Sequence, residues 1–204
     1  MIPKAKWALV TRLYGQGNSM QSVANQMNVP LNSVIYVLRK LKVPRRTPAQ
    51  GNQLAFEARP SSFVIRSRIT VRDKILDAMG AMLYWAEGHD TSKAQGVDFA
   101  NCDPLTVKTF VTFLRSRYRL DQTRFRVYLY CHSNQEVASL ITHWSNLLNI
   151  PKEQFTKPYV RNDYRANGRV MPYGLVHIRY SDKKLLMDLR KLIESHTNTY
   201  LRRW

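Results

Sequence analysis

One acidic side chain, Glu87, stands out in an otherwise basic chain. It lies in residues 82–88 (MLYWAEG), where bulky apolar residues lead into a small residue, the acid and a glycine that stops a helix. A carboxylate is disfavoured at a helix C-terminus, because the helix dipole is already negative there. Glu87 therefore requires a neighbouring cation, a solvated position or a function. An acid placed in this way in a basic protein suggests a metal ion held against nucleic acid.

The net charge indicates a polyanionic partner. The 204 residues carry 32 Lys and Arg against 14 Asp and Glu, a formal charge of +18 with a pI near 10.3. Charge of this size attracts phosphate backbones or anionic membranes. A membrane is the weaker expectation, because no apolar stretch of about 18 residues is present and the N-terminus lacks the apolar core of a signal peptide. We expect a cytoplasmic or nucleoid-associated protein.

Other kinds of chemistry find little support in the residue spacing. Cys102 and Cys131 make no disulfide framework and are expected as buried or half-buried thiols. The five histidines and two cysteines show no CxxC or HxxxH spacing, which argues against zinc. Residues 15–17 (GQG) form a turn and not a phosphate-binding loop, so we expect no nucleotide cofactor.

The charge is distributed unevenly along the chain. Residues 1–72 hold 12 basic side chains and one acid, whereas residues 73–204 hold 20 and 13. Residues 44–52 also have the composition of a linker. We therefore predict a DNA-binding domain over 1–48, a linker over 49–70 and an α+β domain over 71–204.

The N-terminal segment predicts three short helices. Apolar residues at helical spacing indicate the first over about 3–14. Ser19 suits the N-cap of the second, Asn28 tolerates a left-handed turn, and Asn32 or Ser33 suits the cap of the third. The apolar face of the third helix consists of Val34, Val37, Leu38 and Leu41.

This pattern resembles the helix-turn-helix family of DNA-binding domains through Ala24, Asn28, Val29, Val34 and Val37. The small side chain of Ala24 lets two helices cross closely. The resemblance implies that the third helix enters the major groove and that the basic residues after it enter the minor groove. The implied DNA contacts are Asn32, Ser33, Tyr36, Arg39, Lys40, Arg45 and Arg46. The alternative is an ordinary three-helix unit with a solvated basic face.

The rest of the chain predicts mixed helices and strands. Asp103 and Pro104 have the sequence of a helix N-cap and first helical position. The expected strands span 95–100, 124–131, 155–160 and 175–180, the last two paired with each other. Four helices are expected. The first spans 71–88, the second begins after Asp103, and the third begins at Ser133 or Asn134. The fourth runs from a cap at Ser181 or Asp182 to about Ser195.

One predicted strand face alternates basic and aromatic residues: Arg124, Arg126, Tyr128 and Tyr130. A strand lying on phosphates has this composition, and an ordinary polar sheet face is the alternative. Arg161 and Arg179 are expected to serve the same DNA-binding surface.

The layout of this domain resembles the LAGLIDADG endonuclease family, a saddle of antiparallel strands packed under helices. Ala86, Glu87 and Gly88 stand where that family has alanine, an acid and glycine, and Leu83 also matches. The match is partial, since Trp85 replaces an acid and the residue at 82 replaces a glycine. The chain also resembles one branch of this family at three motifs, which are residues 84–88 (YWAEG), 101–104 (NCDP) and 157–159 (KPY).

The resemblance implies a homodimer, because the family forms its active site where two such helices meet and one acid comes from each. The implied interface residues are Ala78, Gly80, Ala81, Leu83 and Tyr84. Mg²⁺ or another divalent cation would bind the Glu87 carboxylate and the Gly88 carbonyl. Lys157 would stabilise phosphate charge and Asn101 would orient water. Their alternatives are a contact to the DNA backbone and a loop cap.

The expected function is sequence-specific binding of double-stranded DNA. The favoured activity is metal-dependent hydrolysis of both strands, as in a homing endonuclease. The first alternative is a non-cleaving transcriptional regulator on the same fold, because a fold does not determine catalysis. The second is a packaging protein that binds through charge alone.

Overall fold

The computed structural model describes residues 2–67, 70–162 and 171–201, and the chain divides into two compact units, Met1–Pro60 and Ser61–Trp204. The described residues form eight α-helices and two β-sheets. The predicted α+β class is therefore confirmed. Each unit has its own hydrophobic core.

The first unit is entirely helical. Its helices are α1 (Trp7–Gly15), α2 (Met20–Gln26), α3 (Leu31–Lys40) and α4 (Pro48–Ala58). Ser19 caps α2 as predicted, because its hydroxyl accepts a hydrogen bond from the Ser22 amide at 3.0 Å. Asn28 has the predicted left-handed backbone, with φ at 51°. The N-cap of α3 is Pro30 and not Asn32 or Ser33, so this helix starts earlier than predicted.

The helix α4 occupies part of the segment 49–70 that the sequence analysis assigned to a linker. Thr47 and Gln50 form a capping box, in which each side chain accepts a hydrogen bond from the other residue's backbone N–H. Pro48 fills the first helical position, where its missing N–H costs nothing. The boundary between the units follows this helix, at 60 and 61.

The second unit mixes helices and strands. Its helices are α5 (Val71–Glu87), α6 (Pro104–Arg117), α7 (Val137–Leu148) and α8 (Lys183–Leu201). Its strands are β1 (Phe63–Ile65), β2 (Val97–Asn101), β3 (Tyr118–Leu120), β4 (Phe125–His132), β5 (Tyr159–Arg161) and β6 (Leu175–Tyr180). Short 3₁₀ turns span Lys4–Lys6 in the first unit and Gln122–Arg124 and Lys152–Gln154 in the second.

Side-chain caps begin all four of these helices, and at α5 the cap is a capping box of Thr70 and Asp73. The Thr106 amide donates to Asp103 at 2.7 Å, as predicted, and the Lys184 amide donates to Asp182 at 2.8 Å at the start of α8. The cap of α7 is Glu136, which accepts from the Ser139 amide at 2.5 Å. The predicted start of α7 at Ser133 or Asn134 is therefore too early.

The main sheet has the strand order β2-β6-β4-β5. β6 is antiparallel to both β2 and β4, whereas β5 is parallel to β4. The predicted pairing of 155–160 with 175–180 is wrong, because β4 lies between β5 and β6. The sheet is consequently mixed and not purely antiparallel.

One face of this sheet packs against the helices. Phe99, Val127 and Ile178 come from three adjacent strands and are each at most 1% exposed. Because side chains alternate across a strand, the residues between them lie on the opposite face. That opposite face, between Asp98 on β2 and Tyr159 on β5, is only partly covered.

A buried ionic network joins the helices of the second unit. Arg117 donates from Nη1 to Asp77 at 2.7 Å and from Nε to the Tyr118 hydroxyl at 3.1 Å. The Tyr118 hydroxyl in turn donates to Asp188 at 2.7 Å. Asp77 is only 4% exposed, so its carboxylate is shielded from water, and the ion pair with Arg117 balances its charge.

Candidate nucleic-acid interface

The outward side of α3 carries the first group of predicted DNA contacts. Asn32, Arg39 and Lys40 are exposed, and Ser33 and Tyr36 are half-buried. The Nζ atom of Lys40 lies 5.8 Å from the centre of the Tyr36 ring. The opposite side of α3 lies in the core of the first unit, so these five side chains form the face that α3 offers to a ligand.

The two arginines after α3 differ in their surroundings. Arg46 donates from Nη1 to the carbonyls of Gly17 and Asn18, each at 3.1 Å, and from Nη2 to the Tyr14 carbonyl. Its guanidinium also lies 4.0 Å from the centre of the Tyr14 ring. The guanidinium of Arg46, which was predicted to contact DNA, is thus engaged within the first unit. Arg45 is exposed.

We use the term sheet face for the side of the main sheet that turns away from the core. Across β2, β6 and β4 the register places Asp98 opposite Arg179, and Arg179 opposite Arg126. The next row places His177 opposite Tyr128. The residues of the sheet face are Asp98, Ala100, Arg126, Tyr128, Tyr130, His132, Leu175, His177 and Arg179.

Asp98 organises two of these side chains. Its Oδ1 lies 2.9 Å from Nδ1 of His177, and its Oδ2 accepts a hydrogen bond from Nε of Arg179 at 2.7 Å. Burial alone would raise the pKa of the Asp98 carboxyl, but the hydrogen bond from His177 and the nearby positive charges outweigh burial and lower it. Asp98 is therefore a carboxylate at neutral pH, and both of its oxygens are engaged.

The arginines at the start of β4 have backbone partners. Arg124 precedes the strand and donates from Nη1 to the Ser181 carbonyl at 2.9 Å. Arg126 donates from Nη1 to the carbonyls of Thr123 and Phe125, both at 2.7 Å. Both arginines keep exposed parts, so they remain positive charges at the edge of the sheet face.

Aromatic rings line the rest of the sheet face. The Arg179 guanidinium lies 4.2 Å from the centre of the Tyr128 ring. Tyr130 lies between His177 and Tyr159, with ring centres 5.1 Å and 5.6 Å away. Arg161 is exposed and pairs in register with His132, across β5 and β4.

Asp98 and His177, which are two of the polar members of the sheet face, were not among the predicted contacts. The alternation of buried Val97 and Phe99 with Asp98 was visible in the sequence, and so was that of Ile178 with His177. Their pairing was not visible, because it depends on β2 and β6 being neighbours in a particular register.

Glu87 is the last residue of α5, and its side chain is exposed. It forms no ion pair or hydrogen bond with any residue in the described part of the chain. Gly88 has a packing role: a Cβ there would lie 2.3 Å from the Tyr84 carbonyl oxygen and 2.7 Å from the Tyr84 ring. The glycine therefore lets the chain turn away tightly over Tyr84.

One chain supplies only part of a divalent metal site at this position. The available oxygen donors are the Glu87 carboxylate and the Gly88 carbonyl, which already accepts a hydrogen bond from the Asp90 amide at 3.0 Å. Within the described residues no group of three His, Cys, Asp or Glu side chains could hold a metal ion. The donor chemistry suits Mg²⁺, but the donor number from one chain does not.

The two remaining predicted active-site residues lie in different settings. Lys157 is exposed and precedes β5, so it lies outside the strand in which it was predicted. Asn101 ends β2, and its Oδ1 accepts a hydrogen bond from the Asp103 amide at 2.8 Å. Asn101 therefore acts as a loop cap in this structure, which was the alternative to orienting water.

The predicted dimer interface needs correction. Gly80, Ala81 and Tyr84 are buried inside their own unit, and Leu83 packs against the same core. A Cβ on Gly80 would lie 2.0 Å from the Phe113 ring, so this glycine permits close packing of α5 on α6. Burial also raises the pKa of Tyr84 to about 12, which keeps its phenol neutral. Of the predicted interface residues, only Ala78 lies toward the other side of α5.

That other side of α5 is an exposed apolar stripe. Its large members are Val71, Ile75, Met79 and Trp85, which are 73%, 56%, 48% and 61% exposed. Ala78, Met82 and Ala86 complete the stripe at the same helical spacing. We call these seven residues the α5 stripe. Glu87 follows the stripe at the end of the helix and is not part of it.

No protein-family model, curated protein or solved structure matches this chain. Among the described helices, none combines the length and apolar character needed to cross a membrane.

Proposed function

We propose that this protein binds double-stranded DNA sequence-specifically as a homodimer, and that it acts as a metal-dependent endonuclease of the homing type. The observation that carries the proposal is that cationic and planar side chains share one face in each unit. In the first unit this face lies on α3, and in the second it is the sheet face.

The first unit supports DNA binding through its helix order and its charge. Residues 1–60 contain nine basic side chains and one acid. Two short helices precede α3 with a left-handed turn at Asn28, the arrangement of a helix-turn-helix. On this proposal Asn32, Ser33, Tyr36, Arg39 and Lys40 enter the major groove. Arg45 contacts the neighbouring backbone or minor groove.

The second unit supports DNA binding through the sheet face. Arg126, Arg161 and Arg179 place positive charge over strands that also carry tyrosines, of which Tyr159 is exposed and Tyr128 and Tyr130 are half-buried. Contacts of cations to phosphates supply most of the sequence-independent affinity for DNA. A two-stranded or larger β-surface can also reach base edges in a groove. The sheet face is therefore proposed as the saddle of a LAGLIDADG-like domain.

The α5 stripe supports the homodimer. Four large apolar side chains lie in line along one helix of 17 residues, exposed to about half or more of their surface. Contiguous apolar surface of this kind marks a contact with another molecule. A two-fold axis beside the stripe would bring two copies of α5 together, with one Glu87 at the end of each helix.

Glu87 and Gly88 are the proposed metal ligands, with the equivalent residues of a second copy completing the set. A divalent cation supplies Lewis-acid activation of water and stabilisation of the leaving oxygen. Lys157 is exposed and positively charged, and on this proposal it neutralises phosphate charge nearby. Asn101 has no proposed catalytic part, because its side chain caps the turn before α6.

A non-cleaving transcriptional regulator is the second candidate. It is favoured by the positions of Asn101, which is used as a cap, and of Glu87, which lies off the α5 stripe. A regulator would use the same two faces to bind one operator and would need no metal.

The test is selection from a randomised duplex library with Mg²⁺ or with a chelator, followed by sequencing of bound and cut DNA. The wild-type protein is compared with Glu87→Gln and with Glu153→Gln, which removes an exposed carboxylate elsewhere in the second unit. We expect one selected motif, with defined cut ends that require Mg²⁺ and the Glu87 carboxylate. Glu153→Gln should cut like the wild type.

Three outcomes separate the candidates. A motif without cut ends in any divalent metal would reject the nuclease and leave the regulator. Cut ends that persist in Glu87→Gln would reject the proposed site. Retention of DNA without any motif at any salt concentration would reject both candidates and leave binding by charge alone.

A further inference from the structure

Two neighbouring side chains of the sheet face hold Arg179 in place. Its Nε donates to Asp98 at 2.7 Å, and its guanidinium lies 4.2 Å from the centre of the Tyr128 ring. Asp98 is itself fixed through its second oxygen by His177. The guanidinium is thus fixed along its Nε edge and on one planar side.

Besides the contact with the Tyr128 side chain, no hydrogen bond to a described residue occupies the Nη edge of the guanidinium, so this edge is open to a ligand. The side chain of Arg179 remains 39% exposed despite its two partners. The Nη atoms carry N–H groups in a fork that matches two acceptors lying side by side. Arg124 and Arg126 differ, since each of them donates from Nη1 to backbone carbonyls. Of these three arginines, Arg179 is therefore the one best placed to form a bidentate hydrogen-bonded contact.

The charge around Arg179 selects between a phosphate and a base. The ionised carboxylate of Asp98 neutralises the guanidinium charge and would repel a phosphate brought close to it. A base edge is uncharged and meets no such repulsion. In the major groove, guanine offers two neighbouring acceptors, O6 and N7, which are the usual partners of an arginine fork.

We propose that Arg179 recognises a guanine in the major groove, with Asp98 and Tyr128 as its positioning residues. This inference rests on the proposed binding of double-stranded DNA and names one specificity contact of the sheet face. Because the fork is fixed before binding, little side-chain entropy is lost when the contact forms. In a homodimer the contact occurs once in each half-site.

The test is selection of bound duplexes with chelator present, for the full-length wild type and for Arg179→Ala, Arg179→Lys and Asp98→Asn. The wild type should select a guanine at one position of each half-site. Arg179→Ala should lose the preference at that position alone and bind the selected site about tenfold or more weakly. Arg179→Lys should keep only part of both, because its ammonium can reach guanine but has no fork of N–H groups. The affinity of both variants for random duplexes should change much less.

Two comparisons make the test specific. Arg126→Ala should weaken selected and random duplexes alike without altering the motif, as expected for a phosphate contact. Asp98→Asn should relax the guanine preference while raising affinity for random duplexes, because it removes a negative charge beside Arg179. A defect of folding alone would not raise affinity for random DNA.

A second measurement uses the unaltered protein. Replacing the selected guanine with 7-deazaguanine removes the N7 acceptor, so wild-type binding should weaken and Arg179→Ala should show little further loss. A guanine preference that survives unchanged in Arg179→Ala would overturn the inference. A wild type that selects no motif would instead overturn the proposed function on which the inference rests.

Discussion

At the scale of single residues, the surroundings of a basic side chain decide whether it is available to a ligand. Arg45 and Arg46 are adjacent and chemically identical, yet only Arg46 donates to the carbonyl of Tyr14 at the end of α1 and to those of Gly17 and Asn18 just after it. The last turn of any helix leaves such carbonyls without partners inside the helix. Sequence alone does not reveal which arginine meets them, because that depends on the path of the loop after α3.

Replacing Arg46 should destabilise the first unit. Arg46→Lys keeps the charge but cannot reproduce the fork of donors to three carbonyls, so we expect a loss of about 1–3 kcal/mol. Hydrogen exchange measured by mass spectrometry over residues 7–26 should show faster exchange in this variant. Arg45→Lys is the matched control and should exchange like the wild type. Equal protection in both variants would contradict the structural role of Arg46.

Two buried or half-buried aspartates should make the stability of the second unit depend on acid pH. The pKa of Asp98 is lowered by His177 and Arg179 despite its burial, and that of Asp182 by hydrogen bonds from Ser62 despite its own burial. Below about pH 4 the unfolded chain therefore takes up protons more readily than the folded chain. The stability that these two carboxylates contribute is therefore fully present above about pH 4. It is lost as the pH falls through their pKa values in the folded protein, which are lower than those in the unfolded chain.

Urea unfolding between pH 5.5 and pH 2.5 measures this effect. Asp182→Asn should be less stable than the wild type near neutral pH and should lose less stability on acidification. Glu153→Gln removes one exposed carboxylate and serves as the control. If Asp182→Asn kept the pH dependence of the wild type, the hydrogen bonds from Ser62 would not be the source of the linkage.

At the scale of elements, the sequence predicted most helices and strands but not all of their neighbours. Apolar spacing and the caps Ser19 and Asp103 located α2 and α6. The helix α4 was missed although Thr47 and Gln50 form a capping box, a signal that was present in the sequence. The partner of β5 was not predictable, because a strand of three residues does not specify which edge it joins.

The helix α5 was located correctly, but its buried side was not. Small and apolar residues occupy both sides, so periodicity could not tell Gly80 and Ala81 from the stripe that contains Ile75 and Met79. The ring of Phe113 fills the space above Gly80, and this contact determines which side of α5 is buried. Long-range packing of this kind is absent from local sequence patterns.

Two glycines in helices should respond in opposite ways to alanine. Gly80→Ala places a Cβ 2.0 Å from the Phe113 ring and should cost about 1–3 kcal/mol, because α5 and α6 must move apart. Gly51 lies inside α4 with nothing within 4 Å of an added Cβ. Gly51→Ala should therefore stabilise α4 by about 0.5–1 kcal/mol.

Urea unfolding of each variant gives these differences. Adding Phe113→Leu to Gly80→Ala should return part of the lost stability, since the smaller side chain relieves the overlap, and a double-mutant cycle measures that coupling. Additive effects of the two changes would show that Gly80 and Phe113 do not constrain each other.

At the scale of the whole molecule, one chain offers faces suited to two different contacts. The sheet face and the outward side of α3 carry cations and planar rings, whereas the α5 stripe is apolar and uncharged. Charge favours association with DNA, and apolar burial favours association with protein. Because different residues form the charged faces and the α5 stripe, the proposed dimerisation can be tested independently of the proposed DNA binding.

Charge placed on the α5 stripe should abolish the proposed dimer without unfolding the chain. Ile75 and Met79 are about half exposed, so Ile75→Glu with Met79→Glu should retain the helical circular dichroism of the wild type. In a two-fold interface the change would bring four carboxylates together, a strongly unfavourable arrangement. Sedimentation equilibrium should then give a dimer for the wild type and a monomer for the double variant.

Leu105→Glu, at a 72% exposed position on α6, should remain dimeric. A wild-type monomer, with or without a two-fold DNA site, would reject the dimer, and a double variant that still dimerises would show that another surface forms it.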